Sequence, residues 1–67
     1  MRYVDYRDAI HKALKRSSAG LTWAQLQSRL SLPYDRPYAN WTARLEKEIG
    51  LRRIRSSGRA LLWQVRS

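Results

Sequence analysis

The chain contains no cysteine and no phenylalanine, and its 67 residues include only three glycines, two prolines and five acidic residues. The absence of cysteine excludes disulfides, thiolate metal sites and cysteine nucleophiles. No apolar run approaches the roughly 20 residues of a membrane-spanning helix, and the N-terminal residues lack the apolar segment of a signal peptide. We therefore expect no membrane association and a cytoplasmic location.

Positive charge and apolar residues dominate what is present. Fourteen Lys and Arg residues give a formal net charge of +9, while 43% of the residues are hydrophobic. A disordered basic tail lacks the apolar surface needed for collapse, and a chain of this length has room for one small domain. The composition thus predicts a single, compact and strongly basic binding domain over residues 1–67.

The residue patterns of catalytic sites are missing. The sequence has no nucleophile–base pair, no glycine-rich phosphate loop and no carboxylate dyad. Asp5, Asp8 and His11 are spaced by three, but their positions drift around a helix and no fourth ligand accompanies them, so a metal site is not favoured. We expect that the protein is not an enzyme and that it binds no cofactor and no metal ion.

A first helix is predicted over about residues 3–16. Aspartates near its start and basic residues near its end suit the helix dipole. Gly20 follows it and is free to take a positive φ. The face predicted to be buried has apolar residues at spacings of three and four, namely Tyr3, Tyr6, Ile10, Ala13 and Leu14.

A second, shorter helix is predicted over about residues 22–30. Thr22 and Gln25 have the spacing of a capping box, and Leu21 and Leu26 have that of a hydrophobic staple around it. Because Pro33 disfavours a helical conformation at the residue before it, the chain must turn there. The residues predicted to line one face of this helix are Trp23, Leu26 and Leu30.

A third helix is predicted over about residues 36–49, and Gly50 suits the position after its end. Its start has two alternatives. Either Asp35 caps the helix with Pro37 in the first turn, or Asn40 caps a shorter one. Its core-facing stripe is predicted to contain Trp41, Leu45 and Ile49, extended backward by Tyr38.

After Gly50 the hydrophobic period changes from about 3.6 to 2. Residues 51–55 and 60–65 therefore predict two strands, and the polar segment 56–59 between them predicts a hairpin turn. The side chains of the second strand expected to face the helices are Leu61, Trp63 and Val65.

This order of elements resembles the winged-helix branch of the helix-turn-helix superfamily. The segment 21–26 looks like the extended piece and capped second helix of many winged helices, and 41–51 is similar to a recognition helix that leads into a wing. The resemblance covers about residues 6–65 and is carried by element order and spacing. It implies a mainly-α fold with a small β-hairpin, a three-helix winged helix-turn-helix. The turn over residues 31–38 departs from the tight turn of the simplest members.

The resemblance also implies that helix 3 lies in the major groove of double-stranded DNA. Arg suits guanine and Asn suits adenine, because each makes paired hydrogen bonds to the base edge. Glu46 and Glu48 would repel phosphates, which favours docking of the N-terminal half only. The alternative is that these residues are only the solvated face of a surface helix. Tyr38 faces either the core or the DNA. The candidate contact residues on this helix are Arg36, Asn40, Arg44 and Lys47.

The hairpin is the stronger electrostatic signal, because residues 51–67 contain five arginines and no acidic residue. Arginine binds phosphate with two hydrogen bonds and is the preferred residue for narrow minor grooves. Protection of an edge strand by basic residues explains one or two of them, but not the lack of any compensating acid. The candidate wing contacts are Arg52, Arg53, Arg55 and Arg59.

The expected partner is therefore double-stranded DNA, and the expected role is that of a small transcriptional regulator or an architectural protein, nucleoid-associated in a prokaryote. The alternative is a winged-helix module for protein–protein interaction, either standing alone or as part of a larger assembly. RNA is less favoured, because the exposed aromatic sheet of single-strand binders is missing. A monomer is the default, since no dimerisation helix follows Val65.

Overall fold

The computed structural model describes residues 2–55, 58 and 60–65. Three helices are followed by an antiparallel hairpin, which confirms the predicted mainly-α class and the order of its elements. None of the helices described is both long and apolar enough to cross a membrane. The elements are α1 (Tyr3–Lys15), α2 (Trp23–Leu30), α3 (Ala39–Glu48), β1 (Arg52–Arg55) and β2 (Leu61–Gln64).

Helix α1 supplies the largest part of the core. Four of its residues are buried, at the spacing the sequence predicts: Tyr3, Tyr6, Ile10 and Leu14. The loop after α1 contains Gly20 with φ of +90°, as expected. A Cβ at this glycine would lie 2.7 Å from the Cγ of Gln64 and 3.1 Å from the carbonyl oxygen of Trp63. Glycine therefore permits the close approach of β2 to this loop.

Helix α2 begins with the predicted capping box. The Thr22 hydroxyl accepts a hydrogen bond from the Gln25 amide at 3.2 Å, and the Gln25 side chain accepts one from the Thr22 amide at 2.9 Å. Leu21 and Leu26 are both buried, as a hydrophobic staple requires. The helix ends at Ser31, which has a left-handed φ of 51°. The first two helices thus follow from local sequence signals.

The start of α3 differs from both predicted alternatives. Tyr38 is the N-cap, and within the described part of the chain its side chain makes no capping hydrogen bond. Two side chains of α2 hold the preceding turn instead. The indole of Trp23 donates to the backbone carbonyl of Asp35 at 3.1 Å, and the side-chain amide of Gln27 donates to the backbone carbonyl of Tyr34 at 2.7 Å. These bonds keep the turn beside α2, and the helix begins only after Pro37.

The buried face of α3 corrects two further expectations. Tyr38 precedes the helix and is 57% exposed, so it does not extend the core stripe. Thr42, which the sequence placed off the stripe, is only 3% exposed. Its hydroxyl donates to the Tyr38 carbonyl at 2.8 Å, which satisfies the buried group. Leu45 is buried as expected, and the helix is followed by Gly50 with φ of +68°.

The hairpin pairs an exposed strand with a partly buried one. Arg53 lies opposite Trp63 in the register. All four residues of β1 are exposed, whereas Trp63 is 2% exposed. Leu61, predicted to face the helices, is an exposed residue, because it lies beyond the core opposite Arg55. In the predicted turn, Ser56, Ser57 and Arg59 lie outside the described residues.

An isolated bridge attaches the hairpin to the helical part. The Leu21 amide donates to the Trp63 carbonyl at 3.1 Å, and the Trp63 amide donates to the Leu21 carbonyl at 2.7 Å. Opposed residues in an antiparallel pair place their side chains on one face of the sheet. Leu21 and Trp63 therefore both face the core, and β2 lies between Leu21 and β1.

Aromatic rings fill the centre of the domain. The Tyr6 ring centroid lies 4.8 Å from that of Trp41 and 6.3 Å from that of Trp23, and the Trp23 ring lies 5.4 Å from that of Trp63. Trp23 and Trp41 are half-buried and pack against the core. Trp63 is thus part of the core, whereas Trp23 and Trp41 pack against it as partly buried rings.

Candidate nucleic-acid interface

The outermost stripe of α3 contains Asn40, Ala43 and Lys47. At 100° per residue these three positions lie within about 60° of one another around the helix axis, on the side opposite Leu45. All three side chains are exposed. The stripe combines an amide and an ammonium group around a small methyl group, and it contains no carboxylate.

The two glutamates of α3 lie on its flanks, where arginines engage them. Glu48 accepts hydrogen bonds from the Arg7 guanidinium at 2.9 Å and from the Arg44 guanidinium at 3.2 Å. Glu46 lies 3.7 Å from the guanidinium of Arg53. The hydrogen bond from Arg7 holds the pKa of Glu48 below its ordinary value, despite the opposing effect of desolvation. Cations thus offset the negative charge that weighed against docking the whole helix.

Arg44, a predicted base contact, is drawn toward the body of the domain. Its guanidinium carbon lies 3.9 Å from the centroid of the Tyr3 ring, and its Nε atom donates to Glu48. The Arg44 side chain is still 55% exposed. Its contact with a base stays a prediction, and in this structure Arg44 joins α3 to α1.

The predicted wing arginines differ in their surroundings. Arg53 lies 3.7 Å from Glu46, and this ion pair connects β1 with α3. Arg52 and Arg55 are exposed and make no ion pair with any other described residue. The register places Arg53 and Arg55 on the face of Trp63, and Arg52 on the opposite face. Strand β1 therefore presents cationic groups on both faces.

The structure sorts the eight predicted contact residues into three groups. Arg44 and Arg53 are engaged in ion pairs, and Arg59 lies outside the described residues. The remaining five are exposed, and no ion pair or side-chain hydrogen bond to them is found within the described ranges: Arg36, Asn40, Lys47, Arg52 and Arg55.

Two features of this region had only weak sequence signals. Arg7 binds Glu48 across 41 positions of the chain, which no local pattern indicates. An open cleft of about 440 Å³ lies at the start of α3. The only sequence signal near it is that two tyrosines and two prolines occur close together in residues 33–38. The residues that line this cleft are Tyr34, Tyr38, Asn40 and Trp41.

The described residues contain no cluster of three metal-ligating side chains, and this applies to Asp5, Asp8 and His11 as well. Comparisons of the chain with protein-family models, with curated proteins and with solved structures find no match. The geometry and charge of the domain itself are therefore what indicates its function.

Proposed function

We propose that this chain is a double-stranded DNA-binding domain, in which the outermost stripe of α3 enters the major groove and β1 contacts the adjacent backbone or minor groove. The observation that carries the proposal is the position of the acid-free stripe beside an exposed cationic strand. The Glu46–Arg53 contact joins the two elements at 3.7 Å, and we infer that one partner contacts both. A small transcriptional regulator or an architectural protein needs such a combined surface to bind DNA.

The α3 stripe has the chemistry of base recognition. The major groove admits a helix, an Asn side chain makes paired hydrogen bonds to adenine, and a Lys side chain donates to guanine. Ala43 lies between Asn40 and Lys47 along the stripe, and its small side chain allows the helix backbone to approach the base edges. Arg36 precedes the helix and is placed for a phosphate that flanks the groove.

Strand β1 supplies the sequence-independent part of the affinity. Arg52 and Arg55 are exposed and have no carboxylate partner among the described residues. Each therefore binds a phosphate without first losing an ion pair within the domain. Contacts of this kind release counterions from the DNA and make the affinity salt-dependent.

The test is a titration of a fluorescent duplex by anisotropy at several salt concentrations. If about five phosphates are neutralised, log K should fall with log salt at a slope near −4 to −5. The triple variant Arg36→Gln, Arg52→Gln and Arg55→Gln should flatten this slope by up to about three units.

The matched control also removes three positive charges, through Lys12→Gln, Arg16→Gln and Arg29→Gln in α1 and α2. Since both variants have the same net charge, any difference between them reports local contacts. Equal losses of duplex affinity would show that α3 and β1 are not the binding surface. A wild-type affinity that does not change with salt would overturn the DNA proposal and leave the protein-interaction alternative.

A further inference from the structure

A second cleft lies between α1 and α2 and has a volume of about 370 Å³. No residue of α3 or of the hairpin contributes to it. Its lining residues are Ala9, Lys12, Ala13, Arg16, Arg29 and Leu30.

The cleft is separate from the proposed DNA-binding surface. On α1, Arg7 faces α3, because its guanidinium donates to Glu48. Ala9 follows two positions later and is therefore rotated by about 200° around the helix axis. The two flanks of α1 thus have different neighbours: α3 on the side of Arg7, and the cleft with α2 on the side of Ala9.

The charged part of the cleft is cationic. Lys12, Arg16 and Arg29 are exposed, and none of them makes an ion pair or a side-chain hydrogen bond with another described residue. The lining contains no carboxylate. An anionic partner therefore binds these groups without displacing an internal one.

The remaining lining is apolar. Ala9 and Ala13 are one helical turn apart on α1, and Leu30 faces them from α2. Ala13 and Leu30 are partly buried against the core. Basic residues near the ends of α1 and α2 also compensate the helix dipoles. That role alone does not require an apolar surface between the basic residues. A DNA backbone has no apolar side group that would use this surface.

We propose that the cleft binds an acidic peptide segment of a partner protein. Carboxylates of the segment pair with the three cations, and one apolar side chain packs on the floor between Ala9, Ala13 and Leu30. This arrangement has the form of a hydrophobic contact surrounded by polar groups, as in many protein interfaces. The domain then holds DNA and an acidic partner at the same time, on different surfaces.

The probe is a synthetic acidic peptide of about 14 residues, or roughly four helical turns, with two leucines one turn apart and glutamates around them. One comparison peptide has alanine in place of leucine, and another has glutamine in place of glutamate. Binding to the full chain is followed by ¹⁵N chemical shifts and by anisotropy of the labelled peptide.

Three protein variants separate the contributions. Lys12→Gln, Arg16→Gln and Arg29→Gln together should lower peptide affinity about tenfold or more, since close charge pairs are lost. The matched triple variant Arg36→Gln, Arg52→Gln and Arg55→Gln should lower it by about threefold or less, because only long-range attraction changes. Ala9→Leu fills the floor without changing charge and should also weaken binding. Circular dichroism establishes that each variant is folded.

The expected result is peptide-induced shifts at the cleft, a loss of affinity for the alanine peptide, and little change in duplex affinity in the cleft triple variant. Equal losses in both triple variants, or equal binding of the leucine and alanine peptides, would overturn the proposal in favour of diffuse charge attraction. The duplex titrations of the two triple variants test the DNA proposal, and the peptide titrations alone decide the present one. Because peptide and duplex are titrated separately, failure of this proposal is distinguishable from failure of the DNA proposal.

Discussion

Helices α1 and α3 contact each other through side chains but serve different purposes. Helix α1 has 13 residues and buries two tyrosines, an isoleucine and a leucine. Helix α3 has 10 residues, and only Thr42 and Leu45 of these are buried. Burial of large apolar side chains is the main source of folding free energy. Helix α1 therefore contributes more to stability than α3 does, and the exposed residues of α3 are free to form a binding surface.

The strongest test of this comparison is Tyr6→Ala in α1. Tyr6 is fully buried and its ring contacts those of Trp23, Tyr34 and Trp41. Truncation of a buried aromatic residue costs about 3–5 kcal/mol, and a domain of this size has roughly that much stability in total. We expect the variant to be unfolded at room temperature, as measured by far-ultraviolet circular dichroism.

The control is Tyr6→Phe, which keeps the ring. Burial raises the pKa of Tyr6 to about 12, and its hydroxyl has no hydrogen-bond partner among the described residues. Removal of such a group with its shape preserved is neutral or stabilising, by up to about 1 kcal/mol. A folded Tyr6→Ala variant, or a clear loss of stability in Tyr6→Phe, would contradict this description of α1.

The glycines that follow the two helices extend the comparison. Gly20 has φ of +90° and no room for a Cβ beside Gln64, whereas Gly50 has φ of +68° and, among the described residues other than its chain neighbours, no atom within 4 Å of an added Cβ. We expect Gly50→Ala to cost about 1–2 kcal/mol from the left-handed backbone alone. Gly20→Ala adds steric overlap and should cost about 2–4 kcal/mol. Urea unfolding of both variants measures the difference, and equal costs would show that the contact with β2 is soft.

Asn40→Ala addresses α3. On a preferred duplex it should cost about 1–3 kcal/mol, and much less on a random duplex, because the paired hydrogen bonds to a base are lost. Its effect on the free energy of unfolding should stay within about 0.5 kcal/mol, since Asn40 is an exposed surface residue. Anisotropy titrations with both duplexes, together with thermal unfolding, measure these effects.

Two outcomes of the Asn40 experiment would change the interpretation. An equal loss on both duplexes would make Asn40 a backbone contact without base recognition. A large loss of stability would mean that α3 contributes to folding much as α1 does.

The smallest effect is expected for Glu48→Gln, which loosens the connection between the two helices. Hydrogen bonding by Arg7 and Arg44 lowers the pKa of Glu48 from its ordinary value of 4.5. A carboxyl group with a lowered pKa stabilises the fold above that ordinary value, and this contribution is lost as the pH falls through the lowered pKa. Wild type should therefore melt slightly above the variant at neutral pH, and the difference should vanish in acid. A difference that persists in acid would assign the effect to packing.

The sequence predicts the parts of this fold that depend on neighbouring residues. The capping box of Thr22 and Gln25 and the conformation of Gly20 are properties of short segments, and both were predicted. The start of α3 was not, because hydrogen bonds from Trp23 and Gln27 determine the path of the preceding turn. These bonds join residues 12 and 7 positions apart, which no local propensity describes.

In the candidate site, too, local features are predictable from the sequence and contacts between distant residues are not. Exposure of Asn40 and Lys47 follows from the helical period, so the sequence predicts it. The positions of Arg44 over Tyr3 and of Arg53 beside Glu46 depend on how elements pack against each other. Thr42 is not part of the predicted core stripe, and its hydroxyl is satisfied in its buried position by a bond to the Tyr38 carbonyl.

The bridge between Leu21 and Trp63 has a consequence for the rate of folding. The segment between the two residues includes α2, α3 and β1, so their hydrogen bonds close a long loop of the chain. Isolated helices form in about a microsecond or less, whereas contacts between distant residues require the prior loss of chain entropy. We therefore expect closure of this bridge, and not helix formation, to limit the folding rate. Refolding followed by tryptophan fluorescence in a stopped-flow experiment should then be slower than the formation of an isolated helix.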